Sequence, residues 1–219
     1  MPSYTDLPIE DRLTLANQAI SNTESDAELA ALLAPAGYGP DQLAEGRVLL
    51  TTAAAAHGRT FTEEGETEAA SNALETLWKA ARKDLRRHVA LARPALDERP
   101  GLARELRVDE ARERRQAAWL VQTRQFYARA LANDEARALL NGVGLEDDEL
   151  QAALDRVDAI ETALQKRNAE DAEDQDATDA RDKAMVPLDK WVRRFRDVAR
   201  PTLEDRPQLL EKLGFLARS

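Results

Sequence analysis

The chain contains no cysteine. That single absence excludes disulfides, thiolate zinc sites and cysteine nucleophiles. Aromatic residues make up only 5% of the 219 positions, so a core has to be assembled mainly from Leu, Ala, Val and Ile. There are two histidines and nine glycines. The glycines form no phosphate-cradling loop, nucleophile elbow or dinucleotide fingerprint. No window approaches about 18 consecutive apolar residues, the run that marks a membrane-spanning helix, and no membrane partner is expected. Met1 to Glu10 carries no basic stretch followed by an apolar run, which predicts no signal peptide and a soluble, cytoplasmic protein. Positive charge is also short: 31 Lys and Arg stand against 41 Asp and Glu, a formal charge of −10. A field of that sign repels nucleic acid, and no stacking aromatics interleave the basic segments, so no nucleic-acid partner is expected.

What the chain does have is itself twice. Displaced by 107 positions, it aligns with itself without a gap, and about 25 of roughly 105 aligned pairs are identical. Gly37 falls on Gly144, Leu43 on Leu150, and Ala92-Arg93-Pro94 on Ala199-Arg200-Pro201. Each residue therefore has a counterpart that speaks to its role. The repeats run over 1–108 and 109–219, with no low-complexity linker between them, and are expected to pack together as one body.

Helical periodicity dominates throughout. The pattern predicts an all-α, tandem-duplicated, mostly antiparallel bundle with six long helices, short connecting helices and an approximate two-fold axis. In each repeat the first long helix comes from about Ile9 or Asp109. A short helix follows, ending at Gly37 or Gly144, where a left-handed C-cap fits. The second long helix carries the seam Leu43, Gly46, Leu50, Ala53, His57, matched by Leu150, Ala153, Val157, Ile160, Leu164. The small residues of the first copy let another helix approach closely. The acidic stretches Glu63–Glu68 and Glu170–Asp176 read as tips where a hairpin turns toward the third long helix.

Candidate chemistry is sparse. His57 and His88 face Leu164 and Phe195 as counterparts, which points to bulk rather than to a titrating nitrogen. Glu63 with Glu66, and Glu170 with Glu173, form i, i+3 carboxylate pairs in both copies. Such pairs can bind hard cations, although the histidine that bundle di-metal sites add is missing, and an acidic helix start complementing the macrodipole is the simpler reading. No cofactor is expected. Lys79–Arg87 and Lys190–Arg200 are basic segments whose simplest reading is a solvated, ion-paired face. Trp119, Tyr127 and Trp191 are the best candidates for a partner surface, because Trp119 and Trp191 stand opposite the charged counterparts Arg12 and Asp84. The expected function is a non-enzymatic helical scaffold or protein-interaction module, with another protein or a second copy of itself as partner. The alternative is a helical bundle that binds a small ligand or a metal.

Overall fold

The structure, a computed structural model, describes residues 4–215. Among them the chain is all-helical, without a strand. After a 3-10 turn at Tyr4–Asp6 come α1 (Ile9–Ser25), α2 (Ala27–Leu33), α3 (Pro40–Ala95), α4 (Pro100–Glu105), α5 (Gln116–Ala132), α6 (Asp134–Asn141), α7 (Asp147–Thr202) and α8 (Pro207–Lys212). Among the described residues no helix is long and apolar enough to cross a membrane.

Local chemistry sets most of these boundaries. Asp26 caps α2 by accepting from the backbone N–H groups of Glu28 and Leu29, and Asn133 caps α6 through Ala136 N–H. Gly37 and Gly144 take φ values of 95° and 79°, as a left-handed C-cap requires. Pro40, Pro100 and Pro207 each open a helix, where the missing N–H costs nothing. Asp109 caps nothing: α5 starts only at Gln116, and the residues before it form a connecting segment.

Six long helices are not observed. The expected second and third helices are one continuous helix in each half, α3 and α7, of 56 residues each. The acidic stretches therefore lie in mid-helix and start nothing, so the macrodipole has no role there. Their sequences explain why no hairpin forms. Residues 161–176 contain neither glycine nor proline. Around residue 64 only Gly58 and Gly65 weaken the helix, by about 1 kcal/mol each, and neither supplies a stop signal. A buried stripe of Ala53, Thr60, Glu63, Ala70 and Leu74 runs on at helical spacing.

The chain divides into two compact units. The first joins the residues up to Gly65 with those from Ala172 on; the second is Glu66–Asp171. Each unit thus draws on both halves of the chain. The first has a core of Ile20, Leu29, Leu33, Leu188, Trp191, Phe195 and Leu213 among others. The second packs Leu85, Leu96, Leu106, Phe126, Tyr127, Leu140, Leu150 and Ile160.

Candidate functional site: an arginine-lined cavity

The second unit contains a cavity of about 710 Å³. One wall is a face of α3, where Arg82, Arg86 and Arg93 alternate with Leu85, Val89 and Ala90. The other wall is Arg112, Glu113 and Arg114 from the segment between α4 and α5, with Trp119 from the first turn of α5. Five arginines thus face one glutamate in a chain that is strongly acidic overall.

Ordinary packing holds these walls in place. Trp119 lies against Trp78 with ring centroids 5.2 Å apart, and the Arg82 guanidinium sits 5.1 Å above the Trp78 ring. Buried Gln122 fixes the connecting segment by accepting from Glu113 N–H at 3.1 Å and donating to the Ala111 carbonyl at 3.1 Å. This leaves Arg112 over the ring of Phe126 at 5.8 Å. Both terminal nitrogens of Arg112 are shielded from water and have no hydrogen-bond partner. Burial, with the positive charge of Arg93 adding to it, pulls the Arg112 guanidinium below its ordinary pKa. Arg93 has only a loose partner, Asp109 at 3.8 Å.

A second polar group in this unit is fully accounted for. His88, 1% exposed, places Nδ1 3.1 Å from the Tyr127 hydroxyl and Nε2 3.2 Å from Glu149 Oε1. The carboxylate only accepts, so Nε2 carries the proton and Nδ1 accepts from Tyr127. Glu149 is also gripped by both terminal nitrogens of Arg87, at 2.5 and 3.2 Å. Burial raises the Glu149 pKa, but Arg87 and His88 outweigh it and hold the carboxyl below its usual range. Burial is the largest influence on His88, and with Arg87 it prevails over Glu149 and lowers the imidazole pKa. The unfolded chain then binds the proton more readily than the folded one. The stability His88 contributes is present above about pH 6.5 and is lost as pH falls below that value. Thermal melts across about pH 7.5 to 5 should show the melting midpoint falling, and falling less for His88→Phe; equal slopes would remove His88 as the cause.

The residues singled out from the sequence fall as follows. Trp119, Tyr127 and Trp191 are 7%, 1% and 7% exposed and belong to the cores of their units. Trp119 also lines a cavity. Their charged counterparts suggest a margin, but Arg12 is drawn inside, pairing with Asp189 at 2.6 Å with little exposure, while Asp84 pairs with Arg156 at a part-exposed position. In the first unit, Glu63 is buried, accepts from Arg59 at 3.2 Å and has an unpartnered Oε2, while Glu173 is exposed. In the second, Glu66 and Glu170 offer carboxylate oxygens within 4.8 Å of each other. His57 lies in the first unit, with Nε2 3.0 Å from Glu10. Glu135 is bonded by Arg99 at 2.7 Å, and Glu28 by Arg206.

The basic segment Lys79–Arg87 and Arg93 are legible in the sequence; that Arg112 and Arg114 join them is decided by the tertiary structure. The sequence carries one mark of the segment: Arg112-Glu113-Arg114-Arg115 stands opposite Thr5-Asp6-Leu7-Pro8, a change of charge between counterparts. No protein family, curated protein or solved structure matches the chain.

Proposed function

We propose that this chain is a non-enzymatic helical binding module, built by duplication, whose second unit holds an anionic small ligand in the arginine-lined cavity. The observation that carries this reading is the lining of the cavity: five arginines against one glutamate, with Arg93 held only by Asp109 at 3.8 Å. An anion entering the cavity is the partner that would offset this excess of positive charge. The lining supports binding rather than bond-making, since it brings guanidiniums and apolar surface together with one carboxylate.

Duplication is supported by the helix bounds. α1, α3 and α4 recur as α5, α7 and α8 with both ends shifted by 107 residues. The contacts are reciprocal as well: Arg99 bonds Glu135, and their counterparts Arg206 and Glu28 bond each other. Within the second unit, Asp84 meets Arg156 and Arg87 meets Glu149, pairings that fit an antiparallel arrangement. In this reading each unit is made by one half of each copy, which is why the compact units and the sequence repeats do not coincide.

Titrating the full chain with a panel of anions (pyrophosphate, citrate and benzoate) at constant ionic strength tests the ligand reading. At least one should bind and raise the melting midpoint; at about 100 times its Kd a ligand adds about 2.7 kcal/mol. The double variant Arg93→Gln, Arg112→Gln should lose at least about tenfold in affinity, the cost of about 1.4 kcal/mol of charge-assisted bonding. No response to any anion, or an unchanged double variant, would overturn it.

A protein-interaction role is the second reading. It is favoured by exposed apolar residues on the first unit, Val48, Phe61 and Val186 at 64%, 57% and 66%. If they serve self-association, native mass spectrometry should show an oligomer that Phe61→Ser and Val186→Ser disperse. A monomer at all concentrations would count against it.

A further inference from the structure

We infer that the cavity is a single site for an organic phosphate monoester, a dianionic phosphoryl group carrying an apolar body. The inference rests on the reading of the cavity as an anion site and goes further by naming the charge, shape and number of ligands.

The charge follows from the paired arginines. Arg93 and Arg112 line the same cavity from its two walls, with Arg82, Arg86 and Arg114 beside them and one carboxylate, Glu113, against them. A carboxylate carries one charge and two oxygens, and one guanidinium fork saturates it. That would leave the second arginine uncompensated. A phosphoryl monoester carries nearly two charges at neutral pH and three terminal acceptor oxygens, so it can serve both at once.

The body follows from the size and the other wall. A cavity of about 710 Å³ lies within the roughly 300–1,000 Å³ of organic-ligand sites and far exceeds a bare phosphate. Leu85, Val89, Ala90 and Trp119 supply apolar surface that an inorganic anion would leave unused.

The number follows from the counterpart positions. Arg82 and Trp119 of the cavity correspond to Asp189 and Arg12, 107 positions away. In the first unit those two form an ion pair at 2.6 Å, with side chains only 13% and 15% exposed. Arg12 is thus neutralised from within the first unit, whereas the second unit keeps its arginine charge open to a ligand. The duplication produces one site per chain, not two.

The test is calorimetric titration of the full chain at fixed ionic strength with phenyl phosphate, inorganic phosphate and benzoate. Phenyl phosphate should bind one per chain and at least about tenfold more tightly than either of the others, a difference of about 1.4 kcal/mol. Its affinity should fall as pH is lowered through the second phosphate ionisation near about 6. Arg93→Gln, at a half-exposed position, and Arg112→Gln should each weaken it at least about tenfold while far-UV circular dichroism stays unchanged. If Arg112→Gln unfolds the unit, Arg93→Gln alone decides. Benzoate binding as tightly as phenyl phosphate would overturn the dianion and leave the anion site standing. Inorganic phosphate binding equally well would overturn the apolar body. Two ligands per chain would overturn the single site. No binding by any of the three, together with silence from the wider anion panel, would remove both this inference and the reading beneath it.

Discussion

Phe195→Ala is expected to destabilise the protein by about 3–5 kcal/mol, the usual cost of emptying a buried aromatic site. The side chain is fully buried and sits at the centre of an aromatic cluster. Trp191 stacks on it at 5.2 Å with the rings 7° from parallel, Tyr38 meets it edge-on at 4.8 Å, and Phe215 lies 6.0 Å away. Each such pair adds about 0.5–1.5 kcal/mol beyond area burial, and all three go with the ring. Against a total stability of about 5–15 kcal/mol, the loss should be plain in the urea midpoint followed by circular dichroism. Phe195→His is expected to destabilise too, although histidine stands 107 positions earlier, at His88. His88 works because Tyr127 and Glu149 satisfy its two nitrogens. The counterparts of that pair are Ile20 and Gln42, and fully buried Ile20 offers no hydrogen bond. An unpaired buried group costs about 1–3 kcal/mol. A loss under about 1 kcal/mol in Phe195→Ala would mean that the cluster relaxes to fill the space.

Gly46→Leu is the other large effect, expected at about 3 kcal/mol, the upper end for overpacking a filled core. A Cβ at position 46 would lie 2.5 Å from Cζ2 of Trp191 and within 2.8 Å of two further ring atoms. The ring cannot yield easily, being 7% exposed and stacked on Phe195. Even Gly46→Ala should gain nothing: its helix-propensity benefit of about 1 kcal/mol is matched or exceeded by a clash of about 1–3 kcal/mol. Gly58→Ala is the control. It lies in the same helix, and a methyl added there would meet nothing within 4 Å, so the propensity gain of up to about 1 kcal/mol should appear as a raised midpoint. If Gly46→Ala and Gly58→Ala stabilised equally, the close approach of Trp191 would be disproved.

Both effects were partly legible in the sequence. The small residues of the seam around Gly46 predicted a close helix approach, and the structure supplies the neighbour, Trp191. The periodic positions Leu150, Ala153, Val157 and Ile160 are all buried, as amphipathic spacing required. The glycines before Tyr38 and Leu145 end their helices with positive φ. Signals of this kind act within a few residues, so local sequence carries them.

The hairpins expected near residues 64 and 171 failed for a related reason. A run of acidic residues resembles a loop in composition, yet glutamate is a good helix former, and only a cap, a proline or a left-handed glycine stops a helix. The burial of Trp119 and Trp191 was not legible for a different reason. A charged counterpart suggests exposure only if charges stay outside, and here Arg12 and Asp189 are taken in together as a pair.

The sequence by itself determined that this protein is all-helical, where most helices begin and end, and which faces turn inward. These follow from propensity, capping and a 3.6-residue period, all local properties of the chain. Tertiary structure alone decided that the residues up to Gly65 join those from Ala172 on in one compact unit, that His88 finds Tyr127 and Glu149, and that Arg112 and Arg93 line one cavity. Those pairings join residues distant in the chain, and no local energy term distinguishes them from their alternatives. They are selected only when buried polar and charged groups must find partners together.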